Sequence, residues 1–298
     1  MAAMLLPLLL LSADIVADGP PPVPQPIRAM LEAALASGNE GEIATIVKYA
    51  RAADPGSADQ VLAQATRWRA DRDAKRRQVL SEASFLALWT GRAEAGGFIT
   101  TGNSNTKGLT IAMNLTREGL RWRQKFAARA DYQESLGITT REHYLASYEP
   151  NYKIADRAYA YGAAQYESDR FLGYRDRVSL SAGAGYSAIK SRAVKLDVEL
   201  GPAYRDTAYT DDTVQRSIAA RGTLDFAWKL SPGLSLSQAA SAYVQHYNSS
   251  VTGTTALNAK LLGPLSAQIS YNIQYESMPP VGSVSTDTTG RASLVYSF

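Results

Sequence analysis

Few residues in this chain can carry chemistry. The 298 residues include two histidines, His143 and His246, and no cysteine, which removes thiol nucleophiles, disulfide frameworks and most zinc sites. Ser241, Asn248 and Ser249 surround His246 in sequence. Those are the residue types of a barrel phospholipase, but no spacing marks a nucleophile and its base. Glu167, Asp169, Asp211, Asp212 and Asp287 fall near expected connections and match no cation-binding loop. The glycine-rich stretches lack the Lys-Ser/Thr that follows a phosphate loop. No catalytic residue, metal or cofactor is therefore assigned, and the chain reads as a non-enzyme. What does recur is charge at alternate positions. Arg121, Arg123, Lys125, Arg129 and Asp131 share one parity, as do Lys195, Asp197 and Glu199, then Arg221 and Asp225, with Glu276 in a further stretch. On a β-strand such spacing puts the charges on one face, where they are candidates for lining a hydrated lumen.

The opposite parity is apolar. Leu120, Trp122, Phe126, Ala128 and Tyr132 alternate with the first set, Val194, Leu196, Val198, Leu200 and Tyr204 with the second, and Ile218, Ala220, Leu224, Phe226 and Trp228 with the third. Ile269, Tyr271, Ile273 and Tyr275 oppose Ser270, Asn272, Gln274 and Glu276. Short strands of this kind recur from about residue 90. Twelve are expected, at roughly 92–100, 107–117, 120–133, 140–153, 157–168, 174–187, 193–205, 214–229, 234–247, 254–262, 265–277 and 287–298. Tight turns at 117–119, 154–157, 187–192, 230–233 and 263–264 alternate with longer, more polar connections, including 134–139, 207–213 and 248–253. Tyr and Trp at strand ends suggest the aromatic girdles of a bilayer boundary. The expected fold is all-β: an antiparallel transmembrane β-barrel of about twelve strands, preceded by a short helical segment. A soluble sandwich with an ordinary apolar core is the alternative.

Composition divides the chain near residue 90, since 16 of 17 tyrosines and 18 of 22 glycines follow that point while seven of 13 prolines precede it. No stretch reaches the roughly 20 apolar residues of a membrane-spanning helix. Residues 1–18, with the apolar run Leu5–Leu11, resemble a secretory signal peptide, the alternative being a short buried helix. Residues 19–26 read as a Pro-rich linker. Residues 27–88 read as a helical periplasmic segment. Ile27, Met30, Leu31, Ala34 and Leu35 share one helical face, Ile43, Ile46, Val47 and Ala50 continue in a second helix, and Ser57 opens a third through Val61, Leu62 and Ala65. The basic run Arg67–Arg77 reads as a solvated face or a contact for anionic lipid headgroups. Formal net charge is +3, from 31 basic against 28 acidic residues, too even for a nucleic-acid binder.

Residues 91–298 form the expected barrel. Leu294, Tyr296 and Phe298 alternate onto one face in a pattern that resembles the assembly signal read by the barrel-assembly machinery. Glu94-Ala-Gly-Gly-Phe-Ile-Thr-Thr-Gly-Asn-Ser-Asn-Thr106 resembles the opening of the YdiY-type family of salt-induced outer-membrane proteins. Stretches 121–132, 148–152, Tyr159-Ala-Tyr-Gly162 and Gly183-Ala-Gly-Tyr186 are similar to that family too. The resemblance implies a bacterial outer-membrane barrel with an envelope-adaptation role and no defined substrate. Its implied partners are outer-membrane lipids and the assembly machinery. The segment 27–88 lies outside the resemblance and leaves room for a periplasmic partner. Two further functions stay open: a narrow channel for small solutes or ions, and a lipid-acting barrel enzyme.

Overall fold

A computed structural model describes residues 22–100, 106–279 and 284–298. The signal-peptide reading and the first part of the Pro-rich linker lie outside the described residues. The chain divides into two compact units, Met1–Glu82 and Ala83–Phe298.

The described part of the first unit is three helices: α1 (Gln25–Ser37), α2 (Glu40–Ala53) and α3 (Ala58–Glu82). Pro26 sits in the first turn of α1, where its missing N–H costs no helix bond. Gly38, at φ 67°, takes the left-handed position that ends the helix. Asn39 then caps α2, its side chain accepting from Gly41 N at 3.0 Å. Leu31, Ala34, Ile43, Ala50, Val61 and Ala65 are buried between the helices, with Ile27, Leu35, Ile46, Val47 and Trp68 packed around them. Met30, expected on the inner face of α1, is exposed. Ser57 is wholly buried at the start of α3, where its hydroxyl donates to Asp54 at 2.6 Å. Most of the basic run of α3 is exposed, while Arg69 and Arg72 both reach Glu40, at 2.9 and 2.8 Å.

The second unit is a closed antiparallel barrel of twelve strands in sequence order, with β12 returning to pair with β1. The strands are β1 (Trp89–Thr100), β2 (Thr106–Glu118), β3 (Trp122–Ser135), β4 (Ile138–Lys153), β5 (Ala158–Asp169), β6 (Tyr174–Lys190), β7 (Val194–Tyr209), β8 (Val214–Ser231), β9 (Leu234–Gln245), β10 (Ser250–Leu262), β11 (Leu265–Glu276) and β12 (Thr286–Ser297). Several run further than their patterns suggest, so the connections shorten. The expected long connection 134–139 is a tight turn through Leu136 and Gly137, both at positive φ (53° and 81°), as a hairpin turn of primed type requires. Residues 250–253, expected in a connection, open β10. The two ends of the barrel therefore differ less in loop length than the sequence suggests. The end holding the start of β1 and the finish of β12 is called the near end, and the opposite one the far end.

Exposure along the strands decides what solvent the barrel is built for. Leu200, Ile218, Val244 and Ile269 are 68%, 79%, 62% and 68% exposed on the outer face. Asp131, Glu167, Arg177, Arg205 and Glu276 are buried inside. A soluble barrel has the reverse arrangement, because water would meet that outer face. An apolar exterior around a charged interior is that of a membrane-spanning barrel. Trp122 and Tyr132 stand ten positions apart on the outer face of β3. At about 3.3 Å per residue and a tilt of about 40° they are separated by about 25 Å along the axis, the height of an outer-membrane apolar band. Trp122 packs edge-on against Tyr152 of β4 at 5.2 Å within the near-end girdle.

Closure is uneven. The β1–β2 ladder extends from Trp89↔Arg117 to Thr100↔Thr106, and the β11–β12 ladder from Leu265↔Tyr296 to Tyr275↔Thr286. The β1–β12 ladder covers only Arg92↔Ser297 to Gly96↔Ser293. It is finished at the near end by Gly91 and Phe298, which exchange N–H···O bonds of 2.8 and 2.9 Å. Among the described residues, Gly97–Thr100 and Thr286–Ala292 have no ladder partner across this seam.

Candidate functional site

Contacts between strands that are not neighbours in the sheet must cross the interior, and they define the site. Toward the near end, Arg123 of β3 reaches Asp197 of β7 at 3.2 Å and Asn151 of β4 at 2.8 Å. Its guanidinium lies 4.6 Å from the ring centre of Tyr159 on β5. Lys125 contacts Glu149 at 2.8 Å, Glu199 at 3.5 Å and Asp225 at 3.6 Å, on β4, β7 and β8. Arg221 of β8 closes the group by bridging Glu149 at 3.1 Å and Glu199 at 3.2 Å. Tyr159 and Thr223 donate to Glu199 as well. A Cβ at Gly185 would collide with the Tyr159 ring, so that glycine leaves the room in which the tyrosine lies across the interior.

A second group lies toward the far end. Asp131 accepts from Thr110 at 2.7 Å and from Arg129 at 2.8 Å, and pairs with Arg291 of β12 at 3.3 Å. His143 stands between Asp131 (Nδ1 to carboxylate, 3.4 Å) and Glu167 (Nε2 to carboxylate, 3.6 Å). Arg177 of β6 pairs with Glu276 of β11 at 2.8 Å, both side chains 3% exposed. Tyr174 lies under Arg177, at 3.7 Å from ring centre to guanidinium carbon, and Tyr243 under Arg205 at 3.9 Å. Arg205 also donates to Ser179 and Ser250. Charges removed from water are stabilised here by opposite charge, hydroxyls and aromatic faces together.

Of the eleven lumen candidates, Arg123, Lys125, Asp197, Glu199, Arg221 and Asp225 meet in the first group. Arg129 and Asp131 lie in the second, as does Glu276 through Arg177. Lys195 is exposed near the near-end rim, without an ion-pair partner among the described residues. Arg121 is placed otherwise than its parity suggests. It lies in the turn before β3, exposed and outside the strand, because β3 begins at Trp122. Sequence reasoning did not place Glu149, Glu167, Arg177 and Arg291 in the lumen, since they stand in strands whose alternation is less regular, whereas Arg205 shares the charged parity of β7. It also missed the inward tyrosines 159, 161, 174 and 243, since Tyr is read as a girdle residue. Tyr174 owes its position to a β-bulge, a register shift between Tyr174 and Asp176, that turns its side chain inward. His246 is exposed just after β9 and packs edge-on against Tyr247. Among the described residues no cluster of three or more His, Asp or Glu is arranged to hold a metal.

Leu294, Tyr296 and Phe298 are all exposed on the outer face, with the Tyr296 and Phe298 rings 6.2 Å apart. Residues 93–298 match the model of a family described as a protein of unknown function, DUF481. The chain belongs to that family. The uncharacterized protein YdiY of Escherichia coli K12 is 26% identical over 216 residues, 72% of this chain and 85% of its own. The translocator domain of the autotransporter NalP from Neisseria meningitidis is similar in structure, with 13% identity, a TM-score of 0.44, and coverage of 79% of this chain and 98% of that one. The COG4313 outer membrane channel from Pseudomonas putida F1 is similar at 9% identity and a TM-score of 0.43, over 70% of this chain and 94% of that one. In this DUF481 barrel the family match runs from within β1 to the last strand and includes the interior charges, while the three helices lie outside it.

Proposed function

We propose that this chain is a bacterial outer-membrane barrel whose interior is closed by paired charge, and that it serves the envelope as an adaptive, non-enzymatic structural protein. The observation that carries this reading is the set of ion pairs spanning the interior, β3 to β7, β4 to β8 and β6 to β11. A twelve-stranded barrel is narrower than the aqueous channels of 16–18-stranded porins, so bridges of this length span it. In this reading the helical unit lies in the periplasm and is available to a partner there. The salt-induced role implied by the family resemblance belongs to the same proposal. Conductance in planar bilayers tests it. The wild-type chain should give no steady single-channel steps. Paired removal of Arg177 with Glu276, and of Arg221 with Glu149, should produce them. Steady steps from the wild type would favour the second reading, a narrow channel for ions or small solutes. Polar cavities of about 230 and 200 Å³ along the interior support that alternative.

A further inference from the structure

The seam between β1 and β12 is open toward the far end, where Gly97 and Ala292 are the first residues beyond the shared ladder. A cavity of about 520 Å³ occupies this region, a volume within the range of small-molecule sites. Its lining joins the two sides of the wall. Leu109, Ile269 and Tyr271 border it from the outer face, all about half exposed or more, while Asp131, Arg141 and Arg291 border it from inside. Small residues keep the wall thin there. Gly96, Gly97, Gly108, Gly290 and Ala292 all line the cavity, and a Cβ at Gly290 would meet nothing within 4 Å. The Gly96-Gly97 pair belongs to the stretch that carries the family resemblance.

The inner end of this opening is cationic and under-satisfied. Asp131 is already shared among Thr110, Arg129, His143 and Arg291. Glu94 accepts from Ser293 at 2.6 Å. Arg141 has no ion-pair partner among the described residues, and its buried Nε lacks a hydrogen-bond partner, as does Nη1 of Arg291. Buried guanidinium donors without acceptors are uncommon, and a carboxylate matches their planar fork. Apolar surface at the outer mouth and unpaired guanidinium groups at the inner end fit the two ends of an amphiphile.

We propose that the β1–β12 gap is a lateral opening that admits a fatty carboxylate from the surrounding lipid. Its chain lies against Leu109, Ile269 and Tyr271, and its headgroup meets Arg141 and Arg291. The proposal rests on the outer-membrane reading and goes beyond it by naming a ligand class and an entry route.

The test uses the full chain folded in detergent, with the fluorescent fatty acid cis-parinarate as probe and heat-dependent gel migration as the folding control. Wild type should bind parinarate saturably, and its uncharged methyl ester about tenfold more weakly, as loss of a charge-assisted pair predicts. Arg141→Ala should lose about the same factor for parinarate and nothing for the ester. Gly290→Trp, at a cavity-lining position where an added Cβ meets nothing within 4 Å, should lower binding of both. Equal binding by wild type, Arg141→Ala and Gly290→Trp would overturn the proposal, as would binding indifferent to the carboxylate. Should either variant fail to fold, a diazirine fatty acid photo-crosslinked to wild type decides. Labelling of residues 108–110 or 289–292 supports the opening, and labelling elsewhere or spread evenly around the barrel removes it. A chain without the heat-dependent shift would overturn the barrel reading itself, whereas a normal shift with no labelling at the seam would overturn only the opening.

Discussion

Arg177 and Glu276 illustrate how a charge survives inside this barrel. Each is 3% exposed and meets the other at 2.8 Å, while Arg177 also covers the ring of Tyr174. Removing one partner of such a pair leaves the other buried and uncompensated, at about 3–5 kcal/mol, whereas removing both costs less. Arg177→Ala and Glu276→Ala should each shift the urea midpoint of folding in lipid vesicles more than the double variant does. Equal loss in all three would mean that the pair is hydrated and weakly coupled. The outer face obeys the opposite rule. Leu200 is 68% exposed near the middle of β7, so Leu200→Arg should destabilise insertion by about 2–4 kcal/mol. Tolerance of arginine there would reverse the assignment of faces.

The helices answer to different chemistry from the strands. Arg69 donates to Glu40, and this hydrogen bond, with the neighbouring Arg72 charge, holds the Glu40 carboxyl below its ordinary range despite burial opposing it. A carboxyl with a lowered folded pKa contributes stability that is fully present above its unfolded value, about 4.3. That contribution is lost as pH falls from there through the lowered folded value. Hydrogen-exchange protection in α2 and α3 of the full chain, taken relative to the intrinsic amide rate at each pH, should therefore fall on acidification below the glutamate range. In Glu40→Gln this acid-dependent part should shrink, and an unchanged acid response would show that other carboxyls govern the unit. The strands connect to this region through Ala83–Leu88, which Arg117 of β2 holds by bonds to the carbonyls of Ser84 and Ala87 at 3.0 and 3.1 Å.

At the scale of the molecule, assembly must close one seam, and its paired part is short. Among the described residues six pairings join the strands, five in the ladder and the sixth between Gly91 and Phe298. Deleting Phe298 removes one of them together with an outer-face aromatic. It should reduce insertion into outer membranes, measured as the fraction of chain with heat-dependent migration. Deleting residues 22–82, which belong to the separate compact unit Met1–Glu82, should leave that fraction unchanged. Equal insertion of wild type and the Phe298 deletion would remove the terminal residues from the assembly signal.

Strand number, order of elements and most strand limits were legible because a two-residue period survives wherever one face meets lipid and the other charge. The parity of β3, β7, β8 and β11 alone separated their apolar positions from their polar ones. The helices were legible from three- and four-residue spacing, although Met30 shows that one turn of such a pattern can face water. Which charges meet was not legible, since Arg123 and Asp197 are 74 residues apart and lie on strands that share no ladder. Only closure of the sheet brings such residues across from one another. A single bulge reverses the direction of Tyr174, and local alternation carries no trace of it. The seam was equally invisible in sequence. Gly96 and Gly97 stood out only within the family-like stretch, and where β1 leaves β12 depends on how twelve tilted strands close, a property of the whole ring.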